Sequence, residues 1–323
     1  MRNEAKGNDN IMWRCFTVKY ITVQEASKRW NISDRRIRTL CSQERIEGVV
    51  KEGCSYKIPY DALKPIDRRT LRGKEIPEQY QVLFTRIDAK KEELNKRRPL
   101  TDGELKRLRE EFLLEFTYNS NAIEGNTLTL QETAMVLEGI TIDKKPLKDH
   151  LEAVGHKEAF EFVQELVSQK VEISEKVIKE IHSIVLMDRR ADKGVYRKIP
   201  VRIMGAENEP PQPYMVPIMM EKLVRNHVER KKKMHIIEAV ARFHLEFESI
   251  HPFIDGNGRT GRLLLNFELM QGGYLPVNVK FTDRRGYYEC FKEYHQKKEM
   301  QGMVQMVGRY AEEEIERYLK MLD

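Results

Sequence analysis

The chain has 323 residues, a formal net charge of +6 and a sequence pI near 8.9. This length is long for one all-helical core, so we expect two domains. The modest positive charge permits acidic partners such as nucleotides or nucleic acid, but it selects no function by itself. The four cysteines form no close pair and no metal-binding spacing. The N-terminus has no run long enough for a signal peptide or a membrane span. We therefore predict a cytoplasmic protein without a membrane partner.

Residues 1–16 form a polar leader that we expect to be flexible. Two short helical patterns follow, Val23–Trp30 and Asp34–Cys41, and the turn between them gives helix-turn-helix spacing. The segment Gly48–Pro59 then predicts two short strands around a Glu-Gly turn. Such a pair of strands would form a wing beside the two helices.

Residues 17–66 as a whole resemble the winged helix-turn-helix of the excisionase and MerR-like group. The resemblance implies that the second helix carries DNA-binding arginines at its start, namely Arg35, Arg36 and Arg38. Two alternatives stay open. Basic residues on a short amphipathic helix are usually only its solvated face, and modules of this kind also bind proteins.

A charged linker over residues 67–76 leads to a second domain, residues 77–323. Its periodicity is that of amphipathic helices with dense surface charge, so we predict a mainly α-helical fold. The predicted helices are Pro77–Lys96, Asp102–Thr117, Thr129–Glu138, Lys148–Ser168, Ser174–Met187, Pro217–Arg230 and His235–Ile250.

Two segments of this domain interrupt or end the helical pattern. In Phe116–Thr127, Ser120 and Glu124 lie four apart on one helical face, and Gly125 is suited to end the helix. Alone, this pattern is typical of an ordinary helix end with a solvated glutamate. In Gly194–Pro213, alternating residues bounded by glycine and a proline cluster predict a short β-hairpin, either functional or only a surface feature.

The most informative stretch is His251-Pro-Phe-Ile-Asp-Gly-Asn-Gly-Arg-Thr-Gly-Arg262. His251 is a candidate general base, because an imidazole of ordinary pKa takes up protons near neutral pH. Asp255 is a hard oxygen ligand of the type that holds Mg²⁺ together with substrate phosphates. The two residues therefore indicate chemistry on a phosphate-linked group.

The second half of the stretch is suited to binding anions. Its Gly-Asn-Gly run brings backbone N–H groups close to a ligand, and an apolar helical run follows at Leu263–Met270. Arg259 and Arg262 are three apart, so on a helix we expect them to share a face and bind phosphate oxygens. The alternative is a turn that simply opens a helix, but such a turn needs neither His-Pro-Phe nor two arginines.

The ordered set resembles the signature of the Fic (Fido) family, His-Pro-Phe-x-Asp/Glu-Gly-Asn-Gly-Arg-x-x-Arg, with every fixed position filled. The resemblance implies a Fic-type helical core with a hairpin flap that aligns a target peptide. It also implies a protein adenylyltransferase, which transfers AMP from ATP to a Ser, Thr or Tyr hydroxyl of a protein and releases pyrophosphate. Some relatives transfer other phosphate-linked groups, so the donor stays open.

By this resemblance His251 deprotonates the target hydroxyl, Asp255 holds Mg²⁺ and Arg262 binds the γ-phosphate of ATP. Relatives line the adenine pocket where Tyr287, Tyr288 and His295 fall, although His295 departs from the asparagine of many relatives. The full set of implied ATP-binding residues is Gly256, Asn257, Gly258, Arg259, Thr260, Gly261, Arg262 and Tyr288.

The resemblance also implies that the segment Phe116–Thr127 contains an inhibitory helix, around residues 117–126. In it Glu124, aligned with Ser120, would pair with Arg262 and exclude the γ-phosphate. In some relatives the same glutamate positions a water that removes AMP, so a reverse activity is open. The target is another protein or the chain itself, and a homodimer is open as well. The alternative function is a DNA-binding regulator in which the Fic core only senses nucleotide.

Overall fold

The computed structural model describes residues 20–30, 32–43, 45–46, 48–53, 55–60, 62, 76–97, 99–187, 189–203 and 209–322. The predicted leader, most of the linker and the tip of the predicted hairpin therefore lie outside the described residues. The chain forms two compact units, Met1–Thr70 and Leu71–Asp323.

The first unit has two helices and a small antiparallel sheet. In chain order its described elements are β1 (Tyr20–Ile21), α1 (Val23–Trp30), α2 (Asp34–Ser42), β2 (Val50–Glu52) and β3 (Ser55–Pro59). Strand β3 lies between β1 and β2, with Tyr20 opposite Pro59 and Val50 opposite Lys57. These bounds agree with the predicted helices and with the predicted turn at Glu52-Gly53.

A compact apolar cluster explains why this short segment folds. The buried side chains are Ile21, Val23, Ala26, Trp30, Ile37, Leu40, Cys41, Ile46 and Ile58. They lie at helical spacing in α1 and α2, so each helix turns one face to the sheet. Ser33 caps α2 by accepting a hydrogen bond from the backbone N–H of Arg36, which fixes where the helix begins.

The second unit is helical in its described part. Its helices are α3 (Glu78–Lys96), α4 (Asp102–Ile123), α5 (Leu130–Leu137), α6 (Leu147–Ser168), α7 (Glu175–Val185), α8 (Val216–Lys233), α9 (Ile236–Ile250), α10 (Asn257–Gln271), α11 (Arg284–Lys297) and α12 (Gln301–Met321). Capping boxes at Thr101 and Thr129 set the starts of α4 and α5. Within the described ranges, no helix is both long and apolar enough to cross a membrane.

Helices α9 and α10 are the centre of this unit because both contribute to two separate apolar clusters. One cluster joins them to α3, α11 and α12, and the other joins them to α4, α6, α7 and α8. Phe247, Leu263 and Phe267 are fully buried in the second cluster. The loop from His251 to Gly256, which connects α9 to α10, is therefore supported by packed helices on both sides.

The structure corrects the predicted hairpin. Described residues 189–203 and 209–213 contain no β-strand. Instead, Arg197 makes hydrogen bonds with backbone groups of this segment and of the loop after α9. Its guanidinium donates to the carbonyls of Ile199 and Pro211, and its own N–H donates to Pro252 O over 2.9 Å. Prolines at 210, 211 and 213 have no N–H for a strand ladder. The described part of this segment is therefore irregular and unpaired.

Candidate active site

His251 ends α9 in a backbone conformation that non-glycine residues seldom adopt. Its φ of 49° and ψ of 62° lie in the left-handed region, and such backbone is often found at functional sites. Gly256, with φ of 74°, makes a second left-handed turn just before α10. The chain thus turns sharply at each end of the loop, which directs the His251 ring into a cavity.

A buried histidine, His182, packs against this loop and donates a hydrogen bond to it. The ring of His182 stacks on Phe253, with centroids 3.6 Å apart and planes 4° from parallel. Its Nδ1 accepts from Gly194 N–H over 2.9 Å, so its Nε2 carries the proton and donates to Asp255 O over 3.0 Å. Burial lowers the pKa of His182 to about 4, which keeps the ring neutral in this role.

The side chains of Arg197 and Asn257 also hold the His251–Gly256 loop, through hydrogen bonds to its backbone. Arg197 donates from Nε to His251 O over 2.8 Å. Asn257 donates to Phe253 O and accepts from Phe253 N–H, each over 2.9 Å. The amide side chain of Asn257 therefore braces the loop.

The start of α10 holds a carboxylate. Glu124, at the C-terminal end of α4, accepts from Arg262 Nη2 at its Oε1 over 2.8 Å. A Cβ atom on Gly258 would lie 2.1 Å from the same oxygen, so the carboxylate rests directly on the glycine backbone. Arg262 also donates to the hydroxyl and carbonyl of Ser120, over 3.0 and 2.7 Å. The predicted Ser120, Glu124 and Arg262 thus meet in one cluster.

This cluster forms one end of a cavity of about 950 Å³. The cavity is large enough for a cofactor or nucleotide. Its walls come from the ends of α4 and α9, the start of α10, Arg202 and Ile203 of the irregular segment, and α11. The lining residues include Glu124, Glu248, His251, Gly258, Arg262 and Tyr288.

The α11 wall contains the predicted aromatic residues. Tyr288 is half exposed, and its hydroxyl donates to Ile123 O over 3.0 Å. Tyr287 is buried, hydrogen-bonded to His244 Nε2 over 2.6 Å, and packed beside the Arg262 guanidinium. His295 lines the same cavity. Tyr288 is therefore the ring that is free to stack on a ligand.

Burial sets the protonation of the central groups. It lowers the pKa of His251 to about 4, although the negative charge of Glu124 opposes the shift. His251 is thus neutral at pH 7, which is the form a general base needs. For Arg262, burial alone would lower the pKa, but Glu124 raises it above its ordinary value. The guanidinium stays charged and fixed.

Three predicted ATP-binding residues point elsewhere in the structure. Arg259 is buried outside the cavity lining, where its guanidinium is 3.1 Å from Glu152 and 3.4 Å from Asp255. Thr260 is fully buried, and Gly261 faces Glu248 rather than open space. The structure therefore places Arg262 but not Arg259 in the cavity lining, because α10 is surrounded by packed helices and its faces meet different neighbours; a phosphate contact by Arg259 stays a prediction.

Asp255 precedes the start of α10 by two residues, outside the cavity lining, and its carboxylate is 30% exposed. Its Oδ1 accepts from Gly256 N–H over 2.6 Å, and its Oδ2 is 3.2 Å from Arg189. In the described part of the chain, no group of three His, Cys, Asp or Glu side chains could hold a metal ion. A lone accessible carboxylate nevertheless fits Mg²⁺, which usually binds through one or two carboxylates with phosphates and water completing its shell.

Sequence reasoning missed Arg197, His182 and Glu248. The first two are isolated in sequence from the motif, so no local spacing connects them to it. Glu248 carries a weak signal, because it precedes His251 by three residues and shares its helical face.

Comparisons of the sequence and of the fold with known proteins indicate the same family. The Fic/DOC family model matches residues 172–269, which include the whole His251–Arg262 motif. A variant of Fic-1 from C. elegans (residues 134–508) superposes with a TM-score of 0.66 at 30% identity, over 74% of this chain and 71% of that one. The chain belongs to the Fic/DOC family. A Fic domain containing signaling protein from Bacteroides thetaiotaomicron also superposes on this Fic protein, with a TM-score of 0.67 at 27% identity, over 74% of this chain and 96% of that one.

Curated relatives of this Fic chain are named protein adenylyltransferase Fic. The one from Nematostella vectensis is 34% identical over 79% of this chain and 61% of its own length. The one from Drosophila melanogaster is 35% identical over 59% of this chain and 39% of its own length. The matched part of this Fic chain thus spans less than two thirds of the length of these relatives.

Proposed function

We propose that this chain is a protein adenylyltransferase that transfers AMP from ATP to a hydroxyl side chain of a protein. The observation that carries the proposal is the Glu124 carboxylate, which lies on Gly258 at the start of α10 and pairs with Arg262. A helix N-terminus with an arginine above it is an anion site. A carboxylate from the same chain occupies that site beside His251, and a phosphate of ATP would replace it.

In the proposed reaction, the oxygen of the target hydroxyl attacks the α-phosphorus of ATP. A new O–P bond forms as the bond from the α-phosphorus to the β-phosphate oxygen breaks, and pyrophosphate leaves. The hydroxyl proton passes to neutral His251. Arg262 and the N–H groups at the start of α10 would neutralise the phosphates. The half-exposed ring of Tyr288 would stack on the base.

We assign Asp255 as the protein ligand of Mg²⁺. When bound, the ion would neutralise charge on the ATP phosphates and favour departure of pyrophosphate. Arg189 and Arg259 flank the same carboxylate and would hold it in place while the ion binds.

Autoinhibition is part of the proposal. While Glu124 occupies Arg262, a γ-phosphate has no partner there. Ser120 keeps two hydrogen bonds to the guanidinium, so Arg262 remains in position when Glu124 leaves. Glu124 would then act as a competitor of ATP within the same molecule.

The test is Mg²⁺-dependent transfer of label from α-labelled ATP to protein by wild type, Glu124→Gly, and Glu124→Gly with His251→Ala. We expect strong labelling only by the single variant, and a loss of about two to four decades on removing the base. ATP binding should persist in the double variant. If the single variant binds ATP but transfers no label, competition by GTP, UTP and CDP-choline identifies another donor and the adenylyl proposal fails.

The reverse activity, removal of AMP from modified protein, is tested with the same labelled protein. Glu124 lies in the cavity with His251, where a carboxylate would position a water against an AMP-protein ester. We expect labelled protein made by Glu124→Gly to lose AMP when wild-type enzyme is added and to keep it when Glu124→Gly is added. Equal loss in both would exclude a role for Glu124.

We propose separately that residues 17–66 are a winged helix-turn-helix that binds DNA. Exposed Arg35 and Arg38 at the start of α2, and the β2–β3 hairpin, support this. Phosphate contacts make such binding weaken steeply with salt. Salt-insensitive binding, or none, would favour the protein-binding alternative.

The intact His251–Arg262 motif argues against the alternative function, a Fic core that only senses nucleotide. A cytoplasmic location stays part of the proposal.

A further inference from the structure

Glu248 is a buried carboxyl group beside the proposed base, with no role in the motif. It lies three residues before His251 on α9, and its Oε2 is 3.8 Å from His251 Nδ1. Within the described residues, neither His251 Nδ1 nor Glu248 Oε1 has a hydrogen-bond partner. His251 Nδ1 therefore lies slightly beyond hydrogen-bonding distance of Glu248 Oε2, while the other carboxyl oxygen, Oε1, lies against Gly261.

A glycine makes room for this carboxyl group. A Cβ atom on Gly261 would lie 2.3 Å from Glu248 Oε1 and about 3 Å from the His244 ring. Any other residue at 261 would therefore displace the Glu248 side chain. The backbone of α10 thus holds Glu248 against α9 and beneath His251.

The surroundings keep the carboxyl group neutral. Burial, reinforced by the charge of Glu124, raises the pKa of Glu248 to about 8, and Arg262 only partly opposes this. A neutral carboxyl group accepts hydrogen bonds without making the nearby imidazole cationic. The charged and titratable groups that face it are Glu124 from α4, His244 and His251 from α9, Arg262 from α10, and Tyr287 and Tyr288 from α11.

We propose that Glu248 is a positioning residue that accepts a hydrogen bond from His251 Nδ1–H and so leaves Nε2 unprotonated toward the target hydroxyl. Closing the gap to about 3 Å requires a side-chain shift of about 1 Å, and such bonds commonly tighten when substrate binds. A histidine in the other tautomer would present a proton to the hydroxyl and could not act as base. The inference rests on the proposed role of His251.

A second group of the same residue could also accept the hydrogen bond from His251 Nδ1–H. The backbone carbonyl of Glu248 also faces the His251 ring and raises its pKa. A substitution at 248 leaves the carbonyl in place and removes only the carboxyl group. Side-chain variants therefore separate the two acceptors.

The experiment uses Glu124→Gly as parent, with Glu248→Gln, which keeps an acceptor oxygen, and Glu248→Met, which keeps the volume without one. Glu246→Ala on the same helix is the control for loss of a carboxylate. Steady-state transfer should give kcat within about threefold of the parent for Glu248→Gln, and about 10- to 100-fold lower for Glu248→Met. KM for ATP should stay within about twofold throughout, because Glu248 acts on the base.

The second readout does not depend on turnover. In ¹⁵N-histidine-labelled protein, the His251 resonances are assigned by their loss in His251→Ala. We expect the Nδ1-protonated tautomer in the parent and in Glu248→Gln, and a mixture in Glu248→Met. An Nε2-protonated His251 in the parent overturns the proposal without any variant at 248. So does an unchanged tautomer in Glu248→Met, which would assign the role to the carbonyl. Absence of transfer by the parent would instead count against the proposed function.

Discussion

Removal of Glu124 should make ATP binding tighter while making the fold slightly less stable. Glu124 Oε1 and Arg262 Nη2 are 2.8 Å apart, with side-chain exposures of 35% and 2%. Charges about 4 Å apart attract by about 4 kcal/mol at an effective dielectric constant near 20. Solvent at the exposed third of Glu124 reduces this to about 1–3 kcal/mol. Relief of the competition should therefore tighten ATP binding about 5- to 150-fold.

The same free energy should appear in thermal unfolding. At about 2–4 °C per kcal/mol for a unit of this size, Glu124→Gly should lower Tm by about 2–12 °C, and saturating ATP should restore it. Calorimetric titration of ATP and a thermal-shift assay measure both effects.

Glu138→Gly is a matched control for this pair of measurements. Glu138 ends α5 as Glu124 ends α4, with nearly the same backbone angles and a left-handed glycine after each. It is exposed and far from the cavity lining. If Glu124→Gly and Glu138→Gly bind ATP equally well, the carboxylate does not compete with phosphate and the reasoning is wrong.

Three further variants or conditions test the site, all in the Glu124→Gly parent. Gly258→Ala should weaken ATP binding at least tenfold by calorimetry, because its Cβ enters the space that Glu124 Oε1 occupies; unchanged affinity would exclude this phosphate position. Arg197→Met should lower kcat about tenfold, because the loop loses its donor to His251 O; the exposed neighbour Lys198→Met should not. The transfer rate should hold from pH 7 to about 5 and fall only as pH drops below about 4, since burial lowers the pKa of His251 to about 4 even with the opposing charge of Glu124, which this parent lacks, and only the neutral ring accepts the proton. A fall centred near pH 6.5 in protein still folded by circular dichroism would contradict this.

The parts that local sequence decides were predictable. The bounds of α1, α2 and the β2–β3 turn follow from caps and apolar spacing. The chemistry that residue type assigns to His251 and Asp255 stays a prediction. Glu124 and Ser120 were recognisable as partners of Arg262 only beside the family signature. The structure brings all three together.

The failures come from neighbours that spacing does not reveal. Arg259 and Arg262 are correctly three apart, but one meets Glu152 under the loop and the other meets Glu124 in the cavity. The predicted hairpin is absent from the described residues because one buried arginine, Arg197, replaces strand pairing. Long-range partners of this kind are decided by tertiary packing, which one sequence does not display.

The chain on either side of Glu124 is firmly anchored. Asn126 donates to Asp149 O and to Glu152, and Thr127 donates its N–H to Asp149, while Tyr288 holds Ile123 O. In the proposed autoinhibition, release of Glu124 would therefore need only rotation about its side-chain bonds, which takes nanoseconds or less in exposed residues, rather than melting of a helix. The restraint would respond to the concentration of ATP almost instantly, with no lag for refolding. A lasting on-state would require a bound partner that continuously keeps that carboxylate away.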